Sequence, residues 1–214
     1  MSSTYSADER PRGRPRDPSR DEAITDAVVE VLVRDGYDRL TMEGVATAAG
    51  VGKSTVYRRW SNKAELVIDT MATLKPAIDA IDTGTLEGDI ELMVSVSCSP
   101  RSQRLLQVMV SICSALPREP ELLEAFRTRF TEPRIARMTE MLERARGRGE
   151  LGPDVDVAMV ASLLPSLMLQ RALTTGQPAG RAYAEQIVDS VLLPVLGLRT
   201  RPISTTDTKD TAHD

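Results

Sequence analysis

Residues 41–63 have the sequence TMEGVATAAGVGKSTVYRRWSNK, and this stretch decides the fold. Thr41 is a residue type that caps helix N-termini, and it precedes a short segment with apolar residues at helical spacing. Gly50 ends that segment where a left-handed backbone would need a glycine. A second helical segment follows from Lys53 to Trp60. The stretch therefore predicts two short helices joined by a tight turn.

The second of these helices has two different faces. Val56 and Trp60 lie four residues apart and are predicted to pack inward against Leu40 and Val45. The opposite face carries donors that can reach phosphates and base edges, namely Lys53, Ser54, Thr55, Tyr57, Arg58 and Arg59. This pattern favours a helix that enters a DNA major groove. The alternative is a solvated polar face on an ordinary helical hairpin.

Helical periodicity continues on both sides of this stretch. Ser19 and Glu22 fit a capping box that opens a first helix, which ends at Asp35. A fourth helix is predicted after Asn62, running towards Pro76. Further helices are predicted at 86–98, 99–116, 121–146, 154–175 and 179–196, with Pro133 expected to kink or split its helix and Pro165 to kink its own. Because no segment shows strand alternation, the predicted fold class is all-α, with about nine helices.

Composition excludes several classes of protein. The 214 residues are 41% hydrophobic and 27% charged, as in an ordinary globular protein. No secretory signal and no long uninterrupted apolar run is present, so we expect a cytoplasmic, nucleoid-associated protein without a membrane span. The only histidine is His213, and Cys98 and Cys113 have no metal-ligand spacing. Nucleotide-binding glycine loops are absent too, so no enzyme, metal site or cofactor is predicted.

The charge is distributed unevenly along the chain. Residues 1–63 carry 11 Lys and Arg against 10 Asp and Glu, a net +1, and the remainder carries 16 against 21, a net −5. Arg12, Arg14 and Arg16 cluster in an N-terminal segment that resembles the Arg-Gly-Arg-Pro core of AT-hook peptides. Such arginines can lie along a narrow minor groove. The alternative is a generic solubilising basic tail.

Four regions are predicted from these patterns. Residues 1–18 form a flexible basic arm, and 19–74 form a helix-turn-helix DNA-binding domain. Residues 75–198 form a helical regulatory and dimerisation domain, and 199–214 a disordered tail.

From Ile24 to about Met71 the chain resembles the TetR/AcrR-type transcriptional regulators. The resemblance is carried by Thr41 after Leu40, Val45-Ala46, Ala49-Gly50-Val51, Lys53-Ser54-Thr55-Val56-Tyr57, Trp60, Asn62-Lys63 and Leu66. The family usually has Phe or Tyr where this chain has Trp60. Membership implies an all-helical dimer, with a helix-turn-helix head on each subunit and a C-terminal body that dimerises and often holds a small-molecule pocket.

The resemblance also implies roles for single residues. It makes 53–60 the recognition helix, in which Lys53, Ser54, Thr55 and Arg58 meet bases or nearby phosphates. Thr41, Tyr57 and Lys63 stand where the family usually touches the DNA backbone. For Arg58 two roles stay open, a bidentate contact to guanine or a simple phosphate contact.

The body offers candidates for a pocket and for an interface. Methionine suits adaptable apolar pockets, although it is also common in plain cores. The predicted ligand-pocket residues are Met93, Leu106, Met109, Cys113, Phe126, Phe130, Met138 and Met168, which would suit a small apolar or aromatic ligand. The helices at 154–175 and 179–196 are apolar on more than one face. In the family such a final pair forms a four-helix dimer interface, and a two-fold dimer predicts an inverted-repeat operator.

Three functions compete at this point. The leading hypothesis is a dimeric, sequence-specific repressor that a small ligand releases from double-stranded DNA. The first alternative is a constitutive DNA-binding regulator or activator without a ligand. The second is a helical ligand carrier or enzyme body with a retained DNA-binding head.

Overall fold

The computed structural model describes residues 18–75, 81–177 and 179–198. These residues form nine helices and no strand, which confirms the all-α prediction. The helices are α1 (Pro18–Asp35), α2 (Met42–Ala48), α3 (Lys53–Tyr57), α4 (Lys63–Leu74), α5 (Leu86–Ser97), α6 (Pro100–Cys113), α7 (120–147), α8 (Val157–Thr175) and α9 (181–195).

Side-chain caps begin several helices at the predicted residues. The Thr41 hydroxyl accepts a hydrogen bond from the Gly44 amide at 3.0 Å and caps α2. Asn62 and Ser99 cap α4 and α6 in the same way. Gly50 has a φ of 64°, the left-handed conformation that the turn between α2 and α3 requires. These local predictions are confirmed.

Two predicted helix ends in the first four helices are wrong. The first helix already includes Pro18, so Ser19 lies inside it and is not its cap. The third helix ends at Tyr57 instead of Trp60, because the chain must turn there before Asn62 can start α4 in an extended conformation.

Helices α7 and α9 each contain a π-helical turn. The segments of α7 are Pro120–Phe126, the π-turn Arg127–Thr131 and Glu132–Gly147, and those of α9 are Arg181–Ile187, the π-turn Val188–Leu192 and Leu193–Val195. Each π-turn ends two residues before a proline, Pro133 or Pro194. Proline lacks an amide proton and its ring clashes with the carbonyl four residues back, and a wider turn gives that carbonyl room. The chain therefore stays helical through Pro133 and is not split there.

The buried side chains form two separate cores. The first joins α1–α4 to α6 and the first half of α7, and it includes Leu66, Val108 and Leu122. The second joins α5, the second half of α7, α8 and α9. Helices α6 and α7 thus pack directly on the head, which we define as α1–α4. The body is α5–α9.

By length and apolar composition alone, α8 could span a membrane. In the fold it packs against α6, α7 and α9, and Leu164 and Met168 lie in the second core. These contacts identify α8 as a core helix that also has an outward apolar side.

Truncation of Leu66 tests the first core. Leu66 is fully buried, whereas Leu123 is 45% exposed. We expect Leu66→Ala to lower the free energy of unfolding by about 2–5 kcal/mol, because it leaves a cavity where α4 meets its neighbours. The matched change Leu123→Ala should cost no more than about 0.5 kcal/mol. Urea unfolding followed by circular dichroism measures both, and equal losses would contradict the assignment.

Candidate nucleic-acid interface and ligand cavity

The inner side of the helix-turn-helix is apolar and well packed. Val45 and Val56 are fully buried, and Trp60 is buried beside them with Leu40 in the same core. The Trp60 indole donates a hydrogen bond to Asp69 Oδ2 at 3.0 Å, which satisfies its one polar atom. The predicted inward packing of Val56 and Trp60 is confirmed, and it fixes which side of α3 points outward.

The outward side of α3 and the residue that follows it carry two cationic side chains, Lys53 and Arg58, that form no ion pair with another described residue. Lys53, Ser54 and Arg58 are exposed, and Thr55 is half-buried. In the ranges that the structure describes, the side chain of neither Lys53 nor Arg58 forms a hydrogen bond or an ion pair. Both are therefore available to an external anion.

Arg59 and Lys63 are engaged inside the protein. The Arg59 guanidinium pairs with Asp21 of α1 and lies over the Trp60 ring, 4.3 Å from its centroid. Lys63 Nζ donates to the Tyr37 carbonyl oxygen at 3.3 Å and lies 4.2 Å from the centroid of the Tyr37 ring. These two cations hold the head together, in contrast to Arg58.

Tyr57 is exposed but has a partner on α2. Its hydroxyl donates to Glu43 Oε1 at 2.8 Å. This hydrogen bond lowers the pKa of Glu43 and raises the pKa of Tyr57. At neutral pH the pair is accordingly a carboxylate and a neutral phenol. Thr41 is exposed nearby, with its hydroxyl used as the α2 cap. Arg12, Arg14 and Arg16 lie outside the described residues.

The body contains a cavity of about 240 Å³. Its wall is mainly apolar and comes from α5, α6, α7 and α8. The lining residues are Ser97, Ser102, Leu105, Leu106, Met109, Phe126, Phe130, Thr131, Arg134, Ile135, Ala161, Ser162, Leu164, Pro165, Ser166, Met168 and Leu169.

The structure brings together five of the eight residues predicted for a pocket. Leu106, Met109, Phe126, Phe130 and Met168 line the cavity. The other three lie elsewhere: Met93 and Met138 border a space of about 10 Å³ inside the second core, and Cys113 is the last residue of α6, outside both spaces. A space of that size holds little more than one water molecule, so Met93 and Met138 act as core residues.

Arg134 is the one charged residue among the cavity-lining residues, and it was not predicted from the sequence. Its Nη1 is buried without a hydrogen-bond partner, as is the Thr131 hydroxyl. Burial lowers the pKa of Arg134. A signal was present in the sequence, because Arg134 is the one charged member of a series spaced by four residues. That series is Leu122, Phe126, Phe130, Arg134, Met138 and Leu142.

Among the described residues, no three His, Cys, Asp or Glu side chains are grouped so that they could hold a metal ion.

Two family models match the chain. Residues 24–70 match "Bacterial regulatory proteins, tetR family" and residues 80–191 match "Tetracyclin repressor-like, C-terminal domain". The chain is 34% identical to the DNA-binding transcriptional repressor TetR of Mycobacteroides abscessus, over 85% of this chain and 96% of that protein. It is 31% identical to the HTH-type transcriptional regulator YdeS of Bacillus subtilis, over 83% and 90%.

The fold also matches solved structures. Salmonella enterica GusR superposes with a TM-score of 0.66 at 19% identity, covering 84% of this chain and 96% of GusR. At this identity the likeness shows a shared fold.

Removal of the Thr41 hydroxyl tests the local construction of this site. We expect Thr41→Ala to lower the free energy of unfolding by about 1 kcal/mol, because the Gly44 amide loses its acceptor at the start of α2. Thr41→Ser keeps the hydroxyl and should retain most of the stability in the same thermal-unfolding experiment. A loss in the serine variant as large as in the alanine variant would show that the cap is not the cause.

Proposed function

Because the chain belongs to the TetR family of DNA-binding transcriptional regulators, which are not enzymes, we propose that it is a homodimeric repressor. It binds an inverted-repeat operator and leaves this DNA when a small ligand binds. A regulator of this kind acts where the DNA lies, so we expect it in the cytoplasm, at the nucleoid. The observation that carries the DNA-binding part is the outward face of α3, where Lys53 and Arg58 are exposed and unpaired.

On DNA we expect the head residues to divide into two groups. Lys53, Ser54, Thr55 and Arg58 face outward and would contact base edges and adjacent phosphates. Tyr57 can reach a phosphate only if its hydroxyl leaves Glu43, since a hydroxyl has one proton to donate. We expect Arg59 and Lys63 to support the head geometry first, because Asp21 and Tyr37 already engage them.

The dimer proposal rests on the outward side of α8 and α9. Three apolar side chains there are exposed, Met159 at 64%, Leu173 at 46% and Val195 at 50%. Leu163 and Leu167 are half-buried and lie on the same side of α8. Exposed apolar side chains along two adjacent helices favour an interface. A two-fold pairing of α8 and α9 would give two heads and therefore an operator with two related half-sites.

Ligand release requires that the cavity be coupled to the head. Leu105 and Phe130 line the cavity and also belong to the first core, which they share with the head. Two ion pairs reinforce the same boundary, Arg104 to Asp26 at 2.6 Å and Arg118 to Asp38 at 3.0 Å. A ligand that favours another position of α6 and α7 would therefore move the heads, and by linkage DNA would weaken ligand binding by the same factor.

The cavity also favours this proposal over a constitutive regulator. A protein without an effector has no need of a space of about 240 Å³ in its body, because protein interiors are normally close-packed.

The basic arm is proposed to add contacts in the minor groove. Arginines at 12, 14 and 16 would then contribute affinity beyond the major-groove helix. A chain that starts at Asp17 should bind operator more weakly and with a smaller salt slope. Unchanged affinity and slope would leave the arm a solubilising tail.

Two adjacent arginines separate DNA contact from head stability. We expect Arg58→Ala to weaken operator binding about tenfold or more with little change in thermal stability, because Arg58 has no partner in the described protein. Arg59→Ala should lower the unfolding midpoint and weaken DNA binding by less than about threefold, because it removes the contacts with Asp21 and Trp60.

Fluorescence anisotropy against the DNA upstream of the gene for this chain measures both variants, with a scrambled duplex as control. If Arg58 contacts a base, Arg58→Ala should lower the affinity for the specific duplex only. If it contacts a phosphate, both duplexes should weaken and the salt slope should fall by about one. Equal DNA-binding losses in the two variants would contradict the assignment.

A charge placed on α8 tests the dimer. Leu173→Glu should yield monomers by light scattering coupled to size exclusion, because a carboxylate would be buried in the proposed interface. Leu123→Glu changes a leucine of nearly equal exposure on α7 and should leave the dimer intact. A dimer that survives Leu173→Glu but dissociates with Leu123→Glu would place the interface elsewhere.

A further inference from the structure

The cavity is mainly but not wholly apolar, and one of its lining residues is charged. Arg134 lies in the wall that Phe126 and Phe130 form on α7. Its Nη1 is buried and no described group accepts a hydrogen bond from it. Burial alone lowers the pKa of Arg134, with no carboxylate raising it. A guanidinium nevertheless stays protonated at neutral pH, so the cavity wall holds an uncompensated positive charge.

Such a charge is costly unless something pairs with it. Buried charges in proteins are normally paired, because desolvation of a lone ion is expensive. Arg148, which directly follows α7, does have such partners, because it pairs with Asp89 and Glu150. Arg134 is therefore a position where the protein leaves room for an anion that it does not itself supply.

Polar groups next to Arg134 could complete the site. Thr131 is three residues earlier on α7, so the two side chains lie on the same side of the helix, and its hydroxyl is also buried and unpartnered. Thr131 is the last residue of the π-turn of α7, and Arg134 follows it just after Pro133. Turns of this kind are frequent at functional sites, since they displace backbone and side chains from the regular helix.

Resting on the proposed function, we infer that the effector is a small apolar carboxylic acid, bound as its carboxylate by Arg134 and Thr131 with its apolar body against Leu106, Met109 and Phe130. A guanidinium binds a carboxylate through two parallel, charge-assisted hydrogen bonds. The size also fits, because a cavity of about 150 Å³ already holds benzene and this one is about 240 Å³.

Isothermal titration calorimetry on the full chain tests this inference with matched acids and alcohols. The probes are 3-phenylpropionate against 3-phenylpropan-1-ol, and octanoate against octan-1-ol. We expect the chain to bind each acid at least about tenfold more tightly than its alcohol, which corresponds to about 1.4 kcal/mol. Equal binding of acid and alcohol, or no binding of either acid, would overturn the inference.

Variants assign the preference to Arg134. Arg134→Met keeps the side-chain bulk, and we expect it to lose the acid preference while alcohol binding is unchanged. Its unfolding midpoint should be no lower than that of the parent chain, because an unpaired buried charge has been removed. Arg137→Met changes an exposed arginine of the same helix and should keep the preference. A preference that survives Arg134→Met would overturn the inference.

The DNA readout is separate from the ligand readout. Calorimetry needs no operator, so an acid preference that depends on Arg134 supports the inference whatever the acids do to DNA binding. If the acids leave DNA binding unchanged, the proposed release of the operator by a ligand is contradicted instead. Conversely, acids and alcohols that release DNA equally well would support ligand release and overturn the assigned role of Arg134.

Discussion

The first core is the constraint on which the rest of this structure depends. A head of about 55 residues buries too little surface to be very stable alone, so it shares its apolar side with α6 and the first half of α7. Leu66, Val108 and Leu122 meet there, all fully buried. The DNA-binding head and the body are consequently joined by packing as well as by the chain. A movement of α6 or α7 cannot leave the head unaffected, because close-packed interiors transmit displacement.

The cationic side chains of the head have two different roles. Arg59 and Lys63 stabilise the head through Asp21, Trp60 and Tyr37. Arg58, one residue before Arg59, is exposed, and its side chain has none of these partners. In the turn after α3, one arginine therefore stabilises the head while its neighbour stays available to a ligand.

Helix caps and turns were predictable from the sequence, whereas the π-turns and the cavity, which depend on tertiary packing, were not. Thr41 and Gly50 act through neighbours within a few residues, so their types and spacing suffice. The π-turns depend on how a proline is accommodated by a packed helix, which spacing does not reveal. The cavity depends on four helices from distant parts of the chain, and five of the eight residues predicted for a ligand pocket line it, because apolar side chains on those helices face inward. Arg134 was missed because charged residues are usually solvent-exposed.

The π-turn of α7 also corrects a rotational drift. Side chains spaced by four residues advance about 40° per step around a regular α-helix, or about 200° over the five steps from Leu122 to Leu142. A regular helix would therefore carry the end of this series to the opposite side from its start. One turn wider than 3.6 residues reverses part of that advance just before Arg134. As a consequence, one wall of the cavity contains Phe126, Phe130 and Arg134 together. The widened turn thus adjusts the rotation of the helix, so that its first half packs in the first core and its second half in the second.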